Sequence, residues 1–164
     1  MKIGTVLNEA PLPQLIEAAQ KVEAAGLSNI WMANIFGYDA ISILAILGRE
    51  TSRIGLGTAV TPTYPRHPTA IAQQALTTAA VTNNRFTLGI GLSHKLVIED
   101  MFGMSYDKPA KHMREYLSIL MPLARGETAN FDGEQYTVRG VNIGVPGAEP
   151  LPVVIAGLGP VMLR

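Results

Sequence analysis

Hydrophobic residues along this chain recur in short runs that alternate with longer segments of helical spacing. Five of the runs are apolar and partly β-branched, which is typical of strands buried on both faces; they cover residues 2–7, 29–33, 54–60, 86–90 and 153–156. The segments between them carry apolar residues three or four positions apart, as Leu15, Ala19 and Val22 do in the first. The pattern therefore predicts strands that alternate with helices.

Residues that begin and end helices support this alternation. Gly26 follows the first helical segment, where a C-terminal cap belongs. Asp39 precedes a second helix predicted over 40–50, and we interpret it as a helix cap rather than as an active-site acid. Pro68 is expected in the first turn of a third helix that reaches Val81 or Thr82.

A long connection, over about residues 97–150, separates the fourth and fifth predicted strands. It contains a helix predicted over 112–123, followed by a turn over 130–136 that carries Asp-Gly between short strands. The connection is thus expected to be an insertion made of a helix and a hairpin.

The insertion helix has a predicted inner and outer side. We expect His112, Glu115 and Tyr116 on its polar surface, and the buried side is assigned to Leu117, Leu120 and Leu123.

Strands that alternate with helices imply an α/β fold with a parallel sheet and right-handed crossovers. Five such steps in 164 residues suit part of a (β/α)8 TIM barrel better than a finished open sheet, because that barrel typically needs about 250 residues. We predict one partial barrel domain over residues 1–164, in which the first and fifth strands are unpaired edges. The segment 157–160 is expected to begin a fifth helix.

Composition narrows the class of protein. Lys+Arg 13 and Asp+Glu 13 give no formal net charge, and 48% of residues are hydrophobic, which disfavours disorder and nucleic-acid binding. Cysteine is absent, so disulfides, thiolate metal sites and thiol nucleophiles are excluded. Apolar runs stop well short of the roughly 18 residues that a membrane span needs, and the N-terminus lacks a signal-peptide pattern. A cytoplasmic protein is expected.

In a β/α barrel the functional residues collect where strands end, and the exit of the fourth strand is the most informative. There Gly91 would let the backbone approach a flat ligand, and Ser93 and His94 supply a hydroxyl and an imidazole that can hydrogen-bond it. Glycines at strand ends more often serve turns, and that alternative stays open. His94 is the candidate for proton transfer.

Other strand-end residues are weaker candidates. Asn8 follows the first strand, and Phe36 and Tyr64 lie on later strand-end loops where they could flank a planar ligand. Trp31 lies inside the second strand and is expected in the core. Because histidines lack helical metal-ligand spacing and Ser93 has no Gly-x-Ser-x-Gly context, neither a metal site nor a serine hydrolase is predicted.

Taken in order, several of these segments resemble the bacterial luciferase-like monooxygenase superfamily. They comprise residues 31–39, 54–68, 84–94, 114–117 and 156–160. The Arg-His-Pro segment at 66–68 and the Gly-Leu-Ser-His segment at 91–94 together look like the branch that uses the deazaflavin coenzyme F420. The resemblance spans essentially the whole chain but only the N-terminal half of the family.

The resemblance implies a barrel that holds the deazaflavin ring at its carboxyl-end mouth and passes a hydride between the ring and a small organic substrate. It also implies a non-prolyl cis peptide bond between Ala59 and Val60. Several relatives place an acid and a histidine after the second strand, where this chain has Asn34 and Ile35. Asn34 is therefore expected only to orient a ligand.

The site predictions form two sets. The expected cofactor contacts are Asn34, Ala59, Val60, Thr61, Gly91, Ser93 and His94. The expected substrate contacts are Asn8, Phe36 and Tyr64.

Three functions stay open at this point. The first is an F420-dependent oxidoreductase that acts on a small organic substrate, and the second keeps the fold but uses FMN and oxygen as a monooxygenase. The third is a noncatalytic, truncated half-barrel that self-associates. Because relatives often form dimers, a homodimer is expected in any case.

Overall fold

The computed structural model describes residues 3–157. Its elements are β1 (Gly4–Val6), α1 (Leu12–Ala24), β2 (Asn29–Met32), α2 (Ala40–Arg49), β3 (Gly55–Thr58), β4 (Thr61–Pro62), α3 (Pro68–Val81), β5 (Phe86–Gly91), a π-helical turn (Val97–Met101), α4 (Pro109–Ala124), β6 (Ala129–Asp132), β7 (Thr137–Val141) and β8 (Val153–Ala156). The predicted alternation of strands and helices is confirmed. The predicted fifth helix lies outside the described residues.

Six of the strands form one parallel sheet. Its order is β1-β2-β3-β5, with β8 on the other side of β5. The short strand β4 pairs with the end of β5 beyond the point where β3 stops. Within the described part of the chain, β1 and β8 are the outer strands of this sheet, as predicted. The antiparallel strands β6 and β7 form the predicted hairpin of the insertion.

Local signals place the helix ends correctly. The Asp39 carboxylate caps α2 by accepting a hydrogen bond from the Ser42 amide at 2.9 Å. Gly26 has a φ of +79°, the left-handed conformation that glycine adopts easily after a helix. Helix α3 begins at Pro68 and ends at Val81, as predicted.

The hydrophobic core lies on one face of the sheet. Alternate strand residues such as Ile30, Leu56 and Leu88 are fully buried in one cluster with residues of all four helices. The opposite face carries small residues and Trp31: a Cβ atom added to Gly57 would lie 2.3 Å from the indole. Trp31 is therefore half-buried on this inner face rather than in the core.

The prediction that every strand is buried on both faces is wrong for the outer strands β1 and β8. Val6 in β1 is 59% exposed, and Val154 in β8 is 43% exposed. Both side chains project to the inner face, opposite the four described helices, because Val6 is in register with Trp31 and Val154 with Gly89.

The third predicted strand, over 54–60, is interrupted after Thr58. The peptide bond between Ala59 and Val60 is cis, as the resemblance implied. At this break the Thr58 hydroxyl donates to the Gly89 carbonyl at 2.7 Å and accepts from the Gly89 amide at 2.8 Å. A Cβ atom on Gly89 would lie 1.9 Å from the Thr58 carbonyl oxygen, so this position requires glycine.

Removing the Thr58 hydroxyl should destabilise the fold. In Thr58→Val both buried backbone groups of Gly89 lose their partner, and we expect a loss of about 2 kcal/mol in the free energy of unfolding. Thr58→Ser keeps the hydroxyl and removes one methyl group, so its loss should be about 1 kcal/mol. Urea denaturation measures both, and equal losses in the two variants would contradict the role of the hydroxyl.

The insertion helix α4 differs from its prediction. It is longer than expected, and His112, Glu115 and Tyr116 are buried rather than on a polar surface. The reason is that the insertion hairpin folds back onto this side of the helix. The Glu115 carboxylate accepts hydrogen bonds from the backbone amides of residues 134, 135 and 136 at 3.2, 2.8 and 3.2 Å.

These amides determine how Glu115 titrates. Burial favours the neutral acid, but the three amides and Lys111 outweigh it, and the pKa of Glu115 lies below its ordinary value. A group with a lowered pKa in the folded state stabilises the fold above its unfolded pKa. That stabilisation is lost as the pH falls through the folded-state pKa.

The variant Glu115→Gln tests this linkage. Below the ordinary pKa of 4.5, the free energy of unfolding of the unaltered protein should fall more steeply with acidification than that of the variant. Urea denaturation from pH 3 to pH 7 checks this, with Glu50→Gln as an exposed control. Parallel pH profiles for the protein and Glu115→Gln would contradict it.

None of the helices within residues 3–157 combines the length and the apolar character needed to cross a membrane.

Candidate functional site

A pocket opens at the carboxyl ends of β2, β3 and β5. We call it the main pocket; its volume is about 310 Å³, near the lower end of the range of roughly 300–1,000 Å³ for small-molecule sites. It is lined by Ala33, Asn34, Ile35, Phe36, Ala59, Val60, Pro62, Ser93, His94, Val97 and Phe102. The structure thus brings together six predicted site residues that are distant in sequence: Asn34, Phe36, Ala59, Val60, Ser93 and His94.

Gly91 and Thr61, two of the predicted cofactor contacts, lie beneath the residues that line the main pocket. A Cβ atom on Gly91 would meet Val60 Cγ2 at 2.6 Å, so the missing side chain makes room for Val60 in the pocket wall. Thr61 is in register with Ile90, and both are fully buried. Because paired residues project to the same face, Thr61 points into the core. Its hydroxyl has no hydrogen-bond partner among the described residues.

The turn after β5 presents Ser93 and His94 to the pocket. Ser93 has a φ of +64°, a left-handed conformation that is uncommon for a residue with a side chain. Its carbonyl oxygen accepts a hydrogen bond from the Tyr106 hydroxyl at 3.3 Å. The His94 carbonyl accepts from the Ile98 amide at 3.0 Å and so joins the turn to the π-helical segment. Both side chains line the main pocket.

Asn34 is oriented by the start of α2. Its Oδ1 atom accepts hydrogen bonds from the Ala40 amide at 3.0 Å and from an Arg66 guanidinium nitrogen at 3.4 Å. In the described part of the chain, no protein acceptor bonds its Nδ2 atom. The side chain can therefore donate to a ligand, which agrees with the expected orienting role.

A second cavity, which we call the side pocket, adjoins the main pocket. It has a volume of about 470 Å³ and is lined by Val6, Leu7, Asn8, Glu9, Met32, Ala33, Ile35, Phe36 and Gly37. The two pockets share Ala33, Ile35 and Phe36. Two of the three predicted substrate contacts, Asn8 and Phe36, therefore lie together beside the predicted cofactor contacts.

Tyr64 lines neither of these pockets. Its ring stacks between His112, with centroids 3.9 Å apart, and Tyr106, at 5.2 Å. It borders a separate polar cleft formed with residues of the insertion, including Lys108 and Glu134. Burial, followed by the neighbouring Tyr106, raises the pKa of Tyr64 to about 12, so the phenol stays protonated.

His112 is a structural residue that the sequence did not reveal. Its Nε2 atom lies 2.9 Å from the Thr63 hydroxyl, and its Nδ1 atom lies 3.0 Å from Gln135 Oε1. Burial lowers the pKa of His112, although Gln135 and Glu115 oppose the shift. The imidazole thus joins the loop after β4 to the insertion hairpin. No local pattern could have predicted contacts with residues 49 and 23 positions away.

Across residues 3–157, no cluster of three or more His, Asp and Glu side chains has an arrangement that could hold a metal ion.

An open pocket at the carboxyl end of a parallel sheet, with apolar walls and a few converging polar groups, is typical of β/α-barrel proteins that bind small molecules. The sequence matches the luciferase-like monooxygenase family over residues 2–164, and the chain belongs to this family.

Two curated relatives are similar to this chain: one is named as a reductase and the other as an F420-dependent dehydrogenase. The 5,10-methylenetetrahydromethanopterin reductase of Archaeoglobus fulgidus is 33% identical over 144 residues, which are 87% of this chain and 42% of the reductase. The F420-dependent glucose-6-phosphate dehydrogenase of Tsukamurella paurometabola is 32% identical over 167 residues, covering 92% of this chain and 49% of the dehydrogenase. The chain spans about half the length of these relatives.

A solved structure supports the fold. The coenzyme F420 dependent tetrahydromethanopterin reductase from Methanopyrus kandleri superposes with a TM-score of 0.80 at 21% identity. The match covers 99% of this chain and 51% of that enzyme. The predicted partial TIM-type barrel is therefore confirmed.

Proposed function

We propose that this protein is an oxidoreductase that binds coenzyme F420 in the main pocket and exchanges a hydride with a small organic substrate. The observation that carries the proposal is the convergence of Asn34, Ser93 and His94 on one apolar pocket at the mouth of the sheet. The F420-dependent dehydrogenase relative supports the choice of coenzyme.

The residues present fit a flat, partly polar ring. Ala33 and Ala59 are small, and Val60 occupies the space that Gly91 leaves free, so the walls are apolar and shallow. Asn34 has a free amide donor, while Ser93 and His94 add a hydroxyl and an imidazole. Ala33, Ala59 and Val60, together with these three polar residues, form the set that would hold the ring.

When bound, F420 would supply the hydride chemistry through its deazaflavin ring. The protein's own residues bind, orient and move protons. The Ala40 amide, at the start of α2, binds the Asn34 side-chain oxygen and leaves its amide nitrogen to donate. The Tyr106 hydroxyl binds the Ser93 carbonyl and so holds the turn that carries the Ser93 side chain. His94 is exposed at the pocket wall, where its imidazole can give a proton to a substrate oxygen or take one from it.

A second candidate keeps the same pocket but uses FMN. The matched family is described as luciferase-like monooxygenases, which favours flavin and oxygen chemistry as the alternative. The third possibility, a noncatalytic half-barrel, predicts that neither cofactor binds.

Fluorescence titration separates these functions. We expect saturable binding of F420 and at least tenfold weaker binding of FMN. Gly91→Ala should weaken F420 binding about tenfold, because the added Cβ displaces Val60. Gly144→Ala is the matched control, since its Cβ would meet nothing within 4 Å. Preferential FMN binding would favour the monooxygenase, and binding of neither would contradict both enzymatic functions.

His94→Ala tests the proposed proton transfer. We expect kcat to fall by about 10²–10⁴, with a flattened pH profile and F420 affinity changed by less than about threefold. His67→Ala removes another exposed imidazole, which caps α3, and should keep the pH profile. An unchanged kcat and pH profile in His94→Ala would rule out the role.

A cytoplasmic location and a homodimer, both expected from the sequence, complete the proposal. The absence of cysteine suits a reducing compartment. Sedimentation measurements with the purified protein decide the oligomeric state.

A further inference from the structure

We propose that the substrate of this protein is largely apolar and carries no negative charge, and that it occupies the side pocket against Phe36. This inference rests on the proposed function, because it assigns the main pocket to the cofactor ring. The three residues that the pockets share would then separate cofactor from substrate only partly, so the two ligands would touch.

The first argument is the charge of the lining. The described residues around the two pockets include no lysine and no arginine. Glu9, in the side pocket, is the acidic residue among them, and its carboxylate lies against Gly37. An anionic substrate would lose its hydration and meet a like charge there, without a cation among these residues in return.

The second argument concerns the nearest guanidinium. Arg66 reaches Asn34 in the main pocket, but it also forms an ion pair with the Asp39 carboxylate. Both side chains are largely buried, at 20% and 31% exposed. The charge of Arg66 is therefore already neutralised and is not available to a phosphate or carboxylate.

The third argument concerns the N-termini of α2 and α3 at the mouth of the sheet, because helix N-termini are natural anion sites in β/α folds. Here Asp39 closes the first turn of α2 with a negative charge. At α3 the Nδ1 atom of His67 accepts a hydrogen bond from the Thr69 amide at 3.3 Å. Both helix ends are thus occupied by the protein's own side chains.

The fourth argument is the apolar surface around the pockets. Ile35 and Phe36 are 69% and 61% exposed. The ring of Phe36 meets Phe102 edge-on, with centroids 6.2 Å apart. Exposed apolar side chains clustered around a cavity mark a binding surface, and an apolar substrate would cover them. Asn8 supplies an uncharged polar contact for a carbonyl or hydroxyl group.

Two ligands that share one ring test the inference: cyclohexanol, which is neutral, and cyclohexyl phosphate, which is anionic. Isothermal titration calorimetry measures their binding to the purified protein, with and without F420. We expect cyclohexanol to bind at least tenfold more tightly than the phosphate. Equal or tighter binding of the phosphate would overturn the inference.

Variants of residues in and near the side pocket show where cyclohexanol binds. Phe36→Ala should weaken cyclohexanol binding about tenfold. Tyr38→Ala removes an exposed aromatic side chain from the same loop that lines neither pocket, and should change binding less than twofold. Glu9→Gln should tighten cyclohexyl phosphate binding severalfold, because it removes the like charge from the side pocket. Equal effects of Phe36→Ala and Tyr38→Ala would place the ligand elsewhere and overturn the inference.

The same experiment keeps this inference distinct from the proposed function. If F420 binds and the charge preference is reversed, only the substrate class is wrong. If F420 does not bind while cyclohexanol still binds at Phe36, the cofactor assignment is wrong and the apolar pocket stands.

Discussion

The hydrogen bonds between the Thr58 hydroxyl and the Gly89 backbone hold the mouth of this fold together. The ladder between β3 and β5 has its last pair at Gly57 and Thr87, and pairing resumes only at Thr61 and Ile90. Over this gap the Thr58 side chain, rather than the backbone of β3, supplies the hydrogen-bond partner of the buried amide and carbonyl of Gly89. The segment between the two ladders therefore does not pair with β5, although the Ala59 amide still donates to the Met32 carbonyl at 2.8 Å, and Ala59 and Val60 form part of the pocket wall.

The insertion stabilises the site from the other side. Glu115 binds the backbone of the hairpin turn, and His112 connects that turn to Thr63 in the loop after β4. Tyr64 lies against the same imidazole. The loop that directly follows Pro62 of the main pocket is therefore held by contacts that run through the insertion, so changes in the hairpin can reach the pocket.

Whether a sequence-based prediction succeeded depends on how far apart along the chain the interacting residues lie. The cap at Asp39 and the bounds of α3 were predictable because capping depends on neighbouring residues. The side of the sheet to which Thr61 points was not, because it depends on the register after the break. The burial of Glu115 was equally hidden, since its partners lie about twenty positions further along the chain.

Trp31 gives the inner face of the sheet a spectroscopic label. It is the sole tryptophan of the sequence, and its indole lies against Gly57 and close to Gly4 rather than in either pocket. Its emission wavelength consequently reports the polarity of that face and little else. A blue shift marks the face being covered, whether by further barrel strands or by another molecule, independently of what occupies the mouth.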